Sequence, residues 1–258
     1  MDLGLKGKNA IVTGGSLGIG KAIAREFAKE GVNVAIVSRS KDRLEAVAKE
    51  LSQETGGKVI ALAADVTSKQ QVEAMVAEAD RQLGGVHILV NSGSSPGGSA
   101  TAIGPIETVV DEDLLLDFNT KYLGAVRAAR AVIPIMKKQG WGRIINISGT
   151  NARNAGNLSG GARNASMVHM TKTLAVQLGR FGITVNCVHP GTTRTERTPG
   201  LLAKQAADLK ITPEEVEKHT FAPDAPRSNA ICRMVDASEI AFVTSFLASE
   251  KSWRFAAS

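Results

Sequence analysis

Aromatic residues make up only 4% of the chain, too few for the stacking platforms on which single-stranded nucleic acids are bound. Charge of one sign is not clustered either. The net charge is +6, yet bases alternate with acids, as in Lys41-Asp42-Arg43-Leu44-Glu45. That pattern pairs charges along a helix face and argues against a nucleic-acid partner. Cysteine is scarce: Cys187 and Cys232 lack any metal-type spacing and read as free thiols. None of the four histidines pairs with another at helical i, i+4 spacing, so no zinc motif is present and no metal is expected. No apolar run approaches the ~20 residues of a membrane span. The opening MDLGLKGKNA lacks the basic start and apolar stretch of a secretory signal. These absences predict a cytoplasmic protein with no membrane partner.

What is present is alternation. Asn9–Thr13, Val32–Val37, Lys58–Ala63, His87–Val90, Arg143–Ile147 and Ile183–Val188 are short apolar runs suited to strands buried on both faces. Between them lie stretches with apolar residues at helical spacing: Gly18–Glu30, Lys41–Glu54, a segment capped by Ser68 that runs to Leu83, one long helix from Glu112 to Lys138, and Ala165–Arg180. Strand-helix alternation demands right-handed crossovers and a parallel sheet covered on both sides. No repeat or linker interrupts it, and residues 1–258 are read as one domain. Two stretches break the rhythm. Ser92–Pro105 is a Gly/Ser/Pro loop long enough to border a site. Residues 192–236, with Pro199, Pro223, Pro226 and a helix-like piece Leu201–Leu209, fall where a substrate lid would sit.

The first strand runs into Thr13-Gly14-Gly15-Ser16-Leu17-Gly18-Ile19-Gly20, and the first helix follows at once. Glycines there permit a tight turn and close backbone approach, while the helix start aims free N–H groups at a pyrophosphate. This strand–glycine loop–helix context marks a dinucleotide site formed by Gly14, Ser16, Leu17, Gly18, Ile19 and Gly20.

TGxxxGIG at residues 13–20 resembles the fingerprint of the short-chain dehydrogenase/reductase family. Asp65-Val66-Thr67, Asn91-Ser92-Gly93 and Pro190-Gly191 with Thr195 match further family motifs in order. The resemblance covers about Leu5 to Ser252 and implies a doubly wound parallel sheet of Rossmann type. It also implies that Asp65 and Val66 flank an adenine, that Asn91, Ser92 and Gly93 line the ribose side, and that Pro190, Gly191 and Thr192 hold a nicotinamide end. Asn91-Ser92-Gly93-Ser94 departs from the family's Asn-Asn-Ala-Gly. At the end of the second strand stand Ser38, Arg39, Ser40 and Lys41, with no acid before Asp42. An acid there would favour NAD(H). A guanidinium suits a 2′-phosphate, so Ser38 and Arg39 point to NADP(H), with NAD(H) as the alternative, although Leu17 stands where relatives selective for NADP(H) often carry a base.

The family's catalytic residues do not recur. Tyr122 is the only tyrosine; it falls well before the fifth strand, and Tyr-x-x-x-Lys is absent. Alignment back from Leu174-Ala175 puts Gly160 and Asn164 at the tyrosine and lysine sites, and an alternative gap puts Ser159 and Arg163 there. The family's Ser-Ser pair is here Ser148-Gly149. Lys121 falls at the asparagine site, with Asn119 two residues away. Three readings follow: an oxidoreductase acting on a small molecule through Ser148, Lys121 or Arg163; a non-redox enzyme whose Lys121 and Arg163 stabilise an anion; or a cofactor-binding or regulatory relative without turnover. Asp236–Glu250 matches the family's last helix, after which the chain stops at Ser258 where relatives continue into a final strand. The last family strand is therefore expected to be missing, and a homo-oligomer, dimer or tetramer, to cover the exposed edge.

Overall fold

The computed structural model describes residues 2–95, 98–225 and 228–252. Six strands form one parallel sheet: β1 (Asn9–Thr13), β2 (Asn33–Ser38), β3 (Val59–Ala63), β4 (Ile88–Asn91), β5 (Gly142–Ile147) and β6 (Ile183–Val188), in the order β3-β2-β1-β4-β5-β6. Every residue of β1, β4 and β5 is buried, as expected of strands sandwiched between helices. The expected doubly wound fold is therefore present. The expected loss of a last strand concerns the chain's end, and residues 253–258 lie outside the described residues.

Two helical layers cover the sheet. Phe27, Ile23 and Ala24 of α1 (Gly18–Lys29) and Leu44 and Leu51 of α2 (Lys41–Thr55) close one core together with α9 (Ala237–Ala248). The other core holds Val72 and Val76 of α3 (Lys69–Leu83), Val132 and Met136 of α5 (Gly124–Gln139) and Leu178 of α6 (Leu158–Leu178). Burying such side chains contributes roughly 1.5–3 kcal/mol each. The expected Ser68 cap is present: its Oγ accepts from the Gln71 amide at 3.3 Å.

Two expectations need correction, and a third stretch gains detail. The long helix expected over Glu112–Lys138 is instead α4 (Asp111–Phe118), a π-helical turn over Asn119–Leu123, and α5. One extra residue per turn shifts the side chains that follow, and such turns are frequent at functional sites. Next, α6 begins seven residues before the expected Ala165, because the Asn157 side chain caps it by accepting from Gly160 N at 2.6 Å. Glycines at 160 and 161 hid that start. Finally, the region 192–236 is organised. It holds α7 (Thr198–Leu209), α8 (Pro213–Thr220), which opens with a Thr212–Glu215 capping box, and the paired strands β7 (Thr193–Arg194) and β8 (Val235–Asp236).

Candidate functional site

Strand order reverses between β1 and β4, which opens a crevice at the strands' carboxyl ends, the place where ligands bind in open α/β sheets. Most of the sequence-predicted residues lie along that edge. Thr13 Oγ1 accepts from the amides of Ser92 and Gly93, both at 3.1 Å, and so locks the glycine loop to the loop after β4. Gly14 has φ +69°, and a Cβ there would lie 2.6 Å from the Ser92 carbonyl oxygen. At Gly20 a Cβ would lie 2.3 Å from the Gly14 carbonyl oxygen. Gly14 is thus required by contact as well as by conformation, and Gly20 by contact alone. Ser16 is buried, Leu17 is exposed, and Gly18 and Ile19 are half-buried at the start of α1. No acid lies in that helix's first turn, and its N-cap residue, Leu17, offers no side-chain hydrogen bond. The helix start therefore keeps its affinity for an external anion.

Along β2, Ser38 Oγ is buried without a hydrogen-bond partner. Arg39 is exposed and makes no ion pair among the described residues. Asp65 is turned back on its own loop, its Oδ1 accepting from Thr67 N and Thr67 Oγ1, both at 2.8 Å. Val66 packs against Gly124 at the head of α5. Asn91 donates to Asn146 Oδ1 at 2.8 Å, while its own Oδ1 is buried without a partner. Pro190 is buried, Gly191 and Thr192 are exposed, and the Thr192 carbonyl accepts from Val235 N at 3.1 Å.

The π-helical turn delivers Lys121 to the same edge. Its Nζ is buried and donates to the Ser148 carbonyl at the end of β5, at 3.0 Å. Burial, with repulsion from Arg163 second, pulls its pKa down from 10.5 to about 7, while Cys187 acts weakly the other way. Burial also pushes the Cys187 thiol up, with Thr171 and Ser148 beside it opposing. His189 is lowered by burial against the pull of the Gly149 carbonyl. Ser148 Oγ donates to the Asn164 carbonyl at 3.0 Å. A Cβ at Gly149 would lie 3.0 Å from Asn164 Nδ2, so the Asn164 amide occupies the space beside the missing second serine. Of the two alignment registers, Asn164 lies beside Gly149 and Gly160 beside Asn151 and Asn157, all after β5, whereas Ser159 reaches Asp117 of α4 and Arg163 reaches Ser95 in the loop after β4.

That second pair meets a residue the sequence reading missed. Asp117 is completely buried and accepts from Ser99 N at 3.0 Å, Ser99 Oγ at 3.1 Å and Ser159 Oγ at 2.6 Å. Arg163 lies 3.8 Å from it and also donates to the Ser95 carbonyl at 3.2 Å. Its one signal in the sequence is a lone acid inside the apolar run Leu114-Leu115-Leu116-Asp117-Phe118. Tyr122 packs on Phe118 with ring centroids 4.9 Å apart. Cys187 and Cys232 are free thiols. Among the described residues no cluster of three potential metal ligands occurs, and no helix is long and apolar enough to cross a membrane.

Comparison with known proteins agrees with the family resemblance and the fold. The profile of the short chain dehydrogenase family matches residues 8–206. The chain is 29% identical to the NADPH-dependent reductase BacG of Bacillus subtilis (strain 168) over 95% of this chain and 92% of that one. It is 32% identical to the oxidoreductase UcpA of Salmonella typhimurium over 96% and 90% of the two chains. L-sorbose reductase from Gluconobacter frateurii, solved in complex with NADPH and L-sorbose, superposes with a TM-score of 0.90 at 32% identity, covering 98% of this chain and 94% of that one.

Proposed function

The chain belongs to the short chain dehydrogenase family, and from that premise we propose that it is an NADP(H)-dependent oxidoreductase acting on the carbonyl or hydroxyl group of a small molecule, with Lys121 carrying the proton that a tyrosine carries in relatives. The single observation behind the last clause is the buried Lys121 amine, held on the Ser148 carbonyl with a pKa of about 7. A proton donor works best when its pKa lies near the operating pH.

The residues present fit the cofactor. An unpartnered Ser38 hydroxyl and an unpaired Arg39 stand at the end of β2 with no competing acid before Asp42, as a 2′-phosphate requires. The start of α1 supplies amides for the diphosphate. The cofactor, when bound, exchanges a hydride with the substrate carbon. In the reducing direction the substrate oxygen becomes an alkoxide, and the Lys121 ammonium gives it a proton. The amine left behind keeps its place by donating to the Ser148 carbonyl, and it is reprotonated from solvent. Arg163 is engaged by Asp117 and Ser95 and so shapes the wall instead of carrying the proton. Ser148 Oγ must leave the Asn164 carbonyl before it can hold a substrate oxygen.

The same reading makes the protein a cytoplasmic homo-oligomer. Exposed Leu115 and Leu116 on α4 and Val176 on α6, the last 83% exposed, supply apolar surface for a second copy. One observation favours the alternative of a cofactor-binding relative without turnover: Ser148 Oγ donates to the Asn164 carbonyl and Arg163 to the Ser95 carbonyl, both within the protein. The discriminating experiment measures NADPH binding by fluorescence, and then NADPH consumption against ketones, quinones and acyl thioesters. Turnover that falls about a hundredfold or more in Lys121→Met, with NADPH binding retained, is the expected result. Binding without consumption across the panel would overturn the redox assignment.

A further inference from the structure

The lid meets the glycine loop through one contact that the family fingerprint does not anticipate. Glu196 Oε2 accepts from the Gly18 amide at 2.9 Å, and Gly18 is the first residue of α1. A helix start with neither an acid in its first turn nor a cap from its own N-cap residue is here capped by a carboxylate 178 residues away. The neighbouring Thr195 packs on the same glycine: a Cβ at Gly18 would lie 3.3 Å from Thr195 Cγ2. The segment is held from behind as well. Thr195 N donates to Thr198 Oγ1 at 2.9 Å, Thr193 and Arg194 pair with Val235 and Asp236, and Arg194 also pairs with Glu217.

We propose that Glu196 sets the affinity for NADP(H) by competing with the cofactor's diphosphate for the start of α1. This rests on the NADP(H) reading above. The physical reason is charge. Helix-start amides favour one anion, and a second anion brought to the same amides meets repulsion from the first. A diphosphate settling on this loop must therefore either displace the Glu196 side chain or bear a like charge a few ångströms away. Displacing it releases the lid's only side-chain hydrogen bond to the glycine loop among the described residues. Cofactor entry and lid position are thereby coupled through one carboxylate.

Glu196 is exposed, so Glu196→Gln and Glu196→Ala preserve the fold, which circular dichroism checks. The test titrates NADPH into the wild type and both variants at low and high salt. Removing the charge is expected to tighten NADPH binding by about threefold or more at low salt, the scale of a charge at a helix end. The gap is expected to narrow as salt screens an exposed pair. An NMR readout is independent of the cofactor: without NADPH, the Gly18 amide exchanges faster in Glu196→Ala than in the wild type. Equal or weaker NADPH binding by both variants, in a wild type that does bind, would overturn the proposal and leave the NADP(H) reading standing. A wild type that binds no NADPH while its Gly18 amide is protected by Glu196 would end the NADP(H) reading, and the competition with it.

Discussion

At the scale of single residues, Lys121 carries the most consequential energetics. Burying an ammonium costs free energy unless it is paired, and among the described residues the only hydrogen-bond partner of Nζ is a carbonyl. Its pKa is therefore lower folded, at about 7, than unfolded, at 10.5, which gives stability a definite pH dependence. Below about pH 7 the amine is protonated in both states and the full penalty applies. Between about 7 and 10.5 the unfolded chain binds more protons, so stability rises with pH. Lys121→Met keeps the volume and removes the charge, and is expected to stabilise the protein at pH 6 by roughly 1–3 kcal/mol and to flatten the rise. Urea denaturation at pH 6, 8 and 10 measures both. A variant less stable than the wild type at pH 6 would show that the lysine contributes packing the pKa does not reflect.

At the scale of elements, the sequence disclosed what periodicity encodes and concealed what depends on contact. Strands β1 to β6 and the helices on their faces were legible because two-sided burial writes itself as unbroken apolar runs. The glycine loop of the candidate site was legible because Gly14 and Gly20 are dictated by backbone approach. The π-helical turn was not, since an extra residue in a helix leaves the apolar spacing nearly intact. Nor was Asp117, whose partners Ser99, Ser159 and Arg163 come from a loop and from another helix. That cluster joins α4, α6 and the loop after β4 around one buried acid. Asp117→Ala leaves two serines without their acceptor and Arg163 without its counter-charge, and is expected to cost about 3–5 kcal/mol, the scale of breaking a buried ion pair from one side. Because the two residues share one network, Asp117→Ala combined with Arg163→Met should recover part of that loss. Thermal denaturation of the three variants checks this, and strictly additive losses would refute the coupling.

At the scale of the whole molecule, the crevice divides the sheet into a β1–β3 half, which ends at Ser38 and Arg39, and a β4–β6 half, which ends at Asn91, Ser148 and Pro190. A dinucleotide laid along the strand ends touches both halves, so its binding free energy opposes unfolding of the whole. At a hundred times its Kd a ligand adds about 2.7 kcal/mol. For a protein of this size that corresponds to a rise in Tm of roughly 5–10 °C. NADPH and NADH differ only at the ribose 2′ position, which the proposed cofactor placement sets beside the exposed Arg39 and the unpartnered Ser38 hydroxyl at the end of β2. NADPH at equal concentration is therefore expected to raise Tm more than NADH does, and Arg39→Ala should bring the two shifts together by lowering the NADPH shift alone. Because Arg39 is exposed and makes no ion pair among the described residues, its loss leaves the ligand-free Tm nearly unchanged, so the difference reports cofactor choice and not fold stability. Equal shifts for both cofactors in the wild type would mean that the end of β2 does not read the 2′-phosphate.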